Sequence, residues 1–87
     1  MKYPRINYIE ILENYKIFVI FNNGQIKIYS VSNLLNEKPF TAFRDKNLFL
    51  NAKKEQNGYG IIWNDEIDIS EYEIWKNGKN IINLKNL

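Results

Sequence analysis

The sequence predicts a small α+β domain, a curved antiparallel sheet built from two hairpins and an N-terminal strand, with two short helices. Three observations carry that expectation. Asn23-Gly24 lies between two runs rich in β-branched and aromatic residues, the strongest short-range hairpin signal. A second Asn-Gly pair, at 57 and 58, lies between a second pair of extended segments. Ser70-Glu71-Tyr72-Glu73 has the spacing of a capping box, which opens a helix.

Ile6 to Leu12 carries apolar residues on both parities, so a strand with a bulge is expected there. Lys16 to Phe21 reads Lys-Ile-Phe-Val-Ile-Phe and suits a strand covered on both faces. A two-residue type I′ turn then places Asn23 and Gly24 at positive φ, between Asn22 and Gln25. Gln25 to Ser30 follows, with Ile26 and Ile28 on one face and Lys27 and Tyr29 on the other. Val31, Leu34 and Leu35 have helical spacing over one short turn, which Pro39 stops. Phe40 and Phe43 anchor a connecting loop, and Asp45 caps a short helix through Asn51 that buries Leu48 and Phe49. Ala52 to Gln56 and Tyr59 to Trp63 form the second hairpin, and Ile67 and Ile69 lie in a short extended piece. The last helix runs from the capping box to Asn77, with Gly78 as a left-handed stop. One domain is expected over residues 1–79, with 80–87 as a tail in which Ile81, Ile82, Leu84 and Leu87 are apolar.

Composition excludes several kinds of chemistry. The 87 residues contain neither cysteine nor histidine. Disulfides, thiol nucleophiles, Ser-His catalysis and the usual zinc ligand sets are therefore ruled out by inventory. No cofactor is expected, and the chain reads as a non-enzyme. With a hydrophobic fraction of 45% and an aromatic fraction of 15%, large side chains can fill a core without staples. The net charge of +2 is low for a dedicated nucleic-acid binder. Met1-Lys2-Tyr3-Pro4-Arg5 lacks the apolar run of a signal peptide, and no segment reaches membrane-spanning length. The expected compartment is the cytoplasm. The abundance of Asn, Ile and Lys reflects AT-rich codons, as in a low-GC bacterium or its phage.

The order of landmarks carries a resemblance. Tyr3-Pro4-Arg5-Ile6, Asn23-Gly24, Tyr29, Leu34-Leu35, Pro39-Phe40, Asp45 and Leu48-Phe49 precede Gly58-Tyr59-Gly60-Ile61-Ile62-Trp63. Asp68-Ile69 and Ile74-Trp75-Lys76-Asn77-Gly78 follow. Over residues 3 to 79 the chain resembles a bacterial domain-of-unknown-function family, number 2442. The stretch from Gly58 to Gly78 is the most specific part, although no single motif is a chemical signature. The resemblance implies a compact α+β fold with a curved sheet and two short helices, and no known activity. It also implies a setting, a toxin–antitoxin-type pair with a second small protein. The chain departs from the family pattern at Ser30, where an acid is usual, and at Asn33, where the segment usually carries proline.

Charge is uneven along the chain. Asp65, Glu66, Asp68, Glu71 and Glu73 put five of the ten acids within nine residues that hold no base. All twelve bases lie elsewhere. Closely spaced carboxylates suit a hard cation, but the EF-hand pattern is missing, and acids at a helix start already stabilise its macrodipole. Gly58-Tyr59-Gly60 has the look of a phosphate loop yet lacks the helix and Lys-Ser/Thr that complete one. Lys16, Lys27, Lys53 and Lys54, near Tyr15, Tyr29 and Tyr59, raise single-stranded nucleic acid as the alternative ligand, against the simpler role of protecting sheet edges. The leading expectation is a non-enzymatic protein-binding module: an antitoxin-like regulator, or a phage or mobile-element inhibitor, that occupies the basic surface of a toxin or nuclease. The expected contact residues are Asp65, Glu66, Asp68, Glu71 and Tyr72, with Trp63 and Trp75 as aromatic anchors.

Overall fold

In the computed structural model, which describes residues 3–81, β-branched and aromatic runs become a four-stranded antiparallel sheet. Its strands are β1 (Ile6–Leu12), β2 (Lys16–Phe21), β3 (Ile26–Ser30) and β7 (Lys79–Asn80), in the order β1-β2-β3-β7. The expected bulge in β1 lies between Ile6 and Tyr8, where the register against β2 shifts. A second sheet joins β4 (Lys53–Lys54), β5 (Gly60–Ile62) and β6 (Asp68–Ser70). Two helices complete the α+β fold, α1 (Lys46–Phe49) and α2 (Glu71–Asn77), and neither sheet closes into a barrel. The single expected sheet is thus two. Short 3-10 turns at Ser32–Leu34 and Phe40–Arg44 form the connection between β3 and α1. Asn80 pairs with Lys27, so sheet pairing runs one residue past position 79. The apolar tail positions Ile82, Leu84 and Leu87 lie outside the described residues.

The core lies between the inner face of the large sheet and everything else. Ile17, Val19 and Phe21 of β2, with Tyr29 of β3, supply the sheet side. Phe43 and Phe49 come from the connection, Ile61, Trp63, Ile67 and Ile69 from the small sheet, and Ile74 from α2. Trp63 is at the centre of an aromatic cluster, 4.6 Å from the ring of Phe43 and stacked on Phe49. Its indole N–H donates to the Phe49 carbonyl at 3.0 Å, which satisfies the buried donor. The inner face of β3 carries Lys27 and Tyr29 rather than the two isoleucines. Lys27 is buried with its ammonium 4.6 Å over the ring of Trp75, and burial lowers its pKa.

Four local expectations need correction. Asn23 does not adopt positive φ; among these turn residues Gly24 alone does, at 90°. Phe21 donates its N–H to Gln25 and accepts from Gly24, so three residues, 22–24, form the loop. This is a type I turn closed by a left-handed glycine, a shape set by the pairing of Ile20 with Ile26. Gly78 is extended (φ −70°, ψ 149°) and ends α2 for another reason. A Cβ there would meet the Ile74 carbonyl at 2.6 Å and Lys27 at 3.2 Å. The capping box is half made: the Glu73 N–H donates to Ser70 Oγ at 3.1 Å, while the Glu73 carboxylate turns to Tyr29 and Asn77. The first hairpin, between β1 and β2, turns without glycine, with Asn14 and Tyr15 both at φ 61°. Asp45 caps α1 as expected, accepting from Asn47 N–H at 3.0 Å, but α1 ends at Phe49.

Candidate interaction groove

Strand alternation decides where the acidic residues go. In β6, Ile69 turns inward, so Asp68 and Ser70 turn outward. Ser70 then starts α2, and its cap on the Glu73 N–H sets that helix's entry angle. Opposite this edge, the 3-10 turns carry Leu34 and Phe40. The result is a groove of about 250 Å³ lined by Asp68, Ser70 and Glu73 on one side and Leu34 and Phe40 on the other. Tyr29 and Ile69 also line it.

The Tyr29 hydroxyl donates to Glu73 Oε2 at 2.8 Å, and Asn77 Nδ2 donates to the same oxygen at 2.9 Å. Both bonds fall on Oε2, so Oε1 is the atom of Glu73 available to a ligand in the groove. Burial, then the Glu73 hydrogen bond, then its charge push the Tyr29 phenol well above its ordinary pKa. Tyr29 therefore stays a neutral donor that holds Glu73 in place. Chemically, the groove offers two carboxylates over an apolar and aromatic wall. That arrangement accepts a cationic head on an aliphatic stem.

The expected contact residues divide among four places. Asp65 and Glu66 are exposed in the tight β5–β6 turn, where Asn64 Oδ1 accepts the N–H groups of Glu66 and Ile67. Asp68 lines the groove. Glu71 and Tyr72 belong to the first turn of α2, at the other end of the small sheet. Tyr72, 40% exposed, has its ring 4.5 Å from that of Tyr3. Burial raises the Glu71 pKa, nearby Arg5 opposes that, and Glu55 adds to it. Trp63 is 8% exposed within the core, and Trp75 is half-buried edge-on against Phe21 at 5.2 Å. Neither tryptophan lies in the groove. Among the described residues no three acidic side chains converge as metal ligands would.

Sequence reasoning did not single out Tyr29, Leu34, Phe40 or Ser70 as groove residues. Tyr29 and Glu73 are 44 positions apart. No local signal marked the contact, because the capping-box spacing directs the Glu73 carboxylate back to its own helix start, whereas it accepts from Tyr29 and Asn77 instead.

The described residues thus form a small α+β domain of two antiparallel sheets and two helices, with an open groove beside β6. A sequence model of one family matches residues 6–80, and the chain belongs to that family, described as a protein of unknown function (DUF2442). Comparison with curated proteins and with solved structures gave no match. Among the described residues no helix is long and apolar enough to cross a membrane.

Proposed function

We propose that this chain is a non-enzymatic protein-binding module that acts by occupying a partner's basic surface. An antitoxin-like regulator, or an inhibitor carried by a phage or mobile element against a nuclease or toxin, works in this way, and the cytoplasm is its proposed compartment. The observation that supports the reading is the groove, in which Asp68 and Glu73 stand over Leu34, Phe40 and Ile69. An arginine or lysine of the partner would lay its stem on the apolar wall and its charge between the two carboxylates. Asp65 and Glu66, exposed on the neighbouring turn, would steer the encounter and set its rate.

The test compares capture of the partner from the native host by wild type, by Asp68→Lys and by the double variant Asp65→Lys/Glu66→Lys. Each is first checked for a native circular dichroism spectrum. Asp68→Lys is expected to abolish capture, and the turn variant to slow association while leaving the complex intact. Capture that survives Asp68→Lys at physiological salt would overturn the groove as the contact.

The second reading is single-stranded nucleic acid, favoured by one observation. Tyr3, Tyr59 and Tyr72 lie together with Arg5, 4.1 Å over the Tyr59 ring, and Lys76, 5.6 Å over the Tyr72 ring. Exposed rings with cations suit base stacking. It ranks second because Glu55 and Glu71 share that patch: the Tyr59 N–H donates to Glu55 Oε1 at 3.1 Å, and the Glu71 N–H donates to the Tyr59 carbonyl at 3.0 Å. Micromolar binding of single-stranded oligonucleotides at physiological salt would put it first.

A further inference from the structure

The face of the large sheet turned away from the core is apolar, and nothing among the described residues covers it. Residues opposite one another across antiparallel strands project to the same side. The register therefore writes out that face in rows. One row runs Tyr8–Ile20–Ile26, with Ile81 beside Ile26 through the Ile81 N–H to Ile26 carbonyl bond of 3.0 Å. The next runs Glu10–Phe18–Ile28–Lys79 across all four strands. The last is Leu12–Lys16–Ser30. Phe18, Ile20, Ile26 and Ile28 are half-buried only by their own neighbours, and none belongs to the core cluster or packs against it. Tyr8 is 46% exposed with its ring edge-on to Phe18 at 6.4 Å. Four large apolar side chains flanked by charge make a contiguous patch of the kind that marks an interface.

The charge pattern on the middle row selects the occupant. An exposed acid ends the row on β1 and an exposed base ends it on β7, with Phe18 and Ile28 between. We infer that this face binds a second copy of the chain, about a two-fold axis parallel to the strands and midway between β2 and β3. That operation reverses the row across the sheet. It sets Glu10 of one protomer over Lys79 of the other, and Lys79 over Glu10. Phe18 meets the partner's Ile28, Ile20 meets the partner's Ile26, and Lys16 meets Ser30 rather than another lysine. An axis across the strands would instead stack Glu10 on Glu10. The pattern is self-complementary in the sense that a two-fold interface requires. Sheets pack about 10 Å apart, within reach of a lysine and a glutamate extended toward each other.

The area sets the size class of the interface. Four strands at about 4.8 Å spacing and three rows at about 6.8 Å give a footprint of roughly 400 Å² per copy. The total buried surface then falls below the roughly 1,200 Å² of a standard interface, which places the dimer among weak, transient associations. The groove lies on the opposite side of the large sheet and remains open in both protomers. The inference therefore stands or falls independently of the proposed function.

Sedimentation velocity of the full chain from about 5 µM to 1 mM tests it. The expected result is a monomer at the low end and a dimer at the high end. Glu10→Lys alone and Lys79→Glu alone should each associate about tenfold or more weakly than wild type. Mixing those two variants should restore the dimer as a heterodimer, because both cross-pairs become Lys–Glu. Both side chains are exposed, so the variants are expected to fold. Phe18→Lys should abolish association. A wild-type chain that is monomeric at 1 mM would overturn the inference and leave the face to another occupant, residues 82–87 of the same chain included. Association that both single charge variants retain would overturn it as well.

Discussion

Three glycines separate two physical costs that substitution usually confounds. Gly24 has φ +90° and open space where a Cβ would go. Gly60 has no left-handed φ, but a Cβ would sit 2.5 Å from the Ile69 carbonyl oxygen. Gly58 has both, with φ +80° and a Cβ 2.5 Å from the Ile6 carbonyl oxygen. Gly24→Ala then carries only the left-handed penalty, about 1 kcal/mol after the entropy gained in the unfolded chain is set against it. Gly58→Ala adds a clash with backbone that cannot withdraw cheaply. The Ile6 N–H donates to the Gly58 carbonyl at 2.9 Å, and Ile6 is itself buried at 3% exposure. Moving β1 away weakens that bond, worth about 1 kcal/mol, and opens a gap beside a core isoleucine worth about 1 kcal/mol more. The sum is about 3 kcal/mol, a large share of the roughly 4–13 kcal/mol expected for a domain of this length. Gly60→Ala should fall between, near 2 kcal/mol, by the contact alone. Urea unfolding followed by far-UV circular dichroism gives the three midpoints at constant m. If Gly58→Ala costs no more than Gly24→Ala, the contact argument is wrong.

Two further outcomes follow from buried groups. The raised Tyr29 pKa means that the folded chain keeps this proton after the unfolded chain has lost it, so stability is whole below the ordinary tyrosine value of 10.0 and falls as pH rises above it. The stability gap between wild type and Tyr29→Phe, measured in urea from pH 8 to 11.5, should shrink above pH 10, and parallel profiles would refute the shift. Trp63→Phe leaves the Phe49 carbonyl without its indole donor and opens space among Phe43 and Phe49, for a loss of about 2–3 kcal/mol in thermal or urea unfolding.

The fold was legible wherever local chemistry decides conformation. Lys16–Phe21 is a strand to the residue because its aromatic and β-branched run is central and bonded on both sides. Asp45 and Ser70 cap helices because their side-chain oxygens reach free N–H groups within three residues. What escaped was set at a distance. Asn23-Gly24 located a hairpin, yet the strand pairing decided how many residues entered the loop. The Glu13-Asn14-Tyr15 turn has no glycine to announce it; Tyr15 is held at φ 61° by its carbonyl bond to Val31 N–H and its ring contact with Phe49. The groove follows the same division: Asp68 stood out as part of a charge run, while Tyr29 and Phe40 reach it only through tertiary packing.

The central strand has a consequence for motion. β2 is hydrogen-bonded to β1 and β3 along its length, and Ile17 and Val19 are fully buried. Its amides can exchange with solvent only when the whole domain opens. β4 is two residues long and β5 and β6 are three each, so the layer that carries the groove can open in parts while the central strands of the large sheet stay closed. The two surfaces therefore differ in stiffness. The apolar face meets its partner as a rigid plate, whereas a ligand in the groove would slow exchange across β6 and α2, turning part of its contact energy into local order.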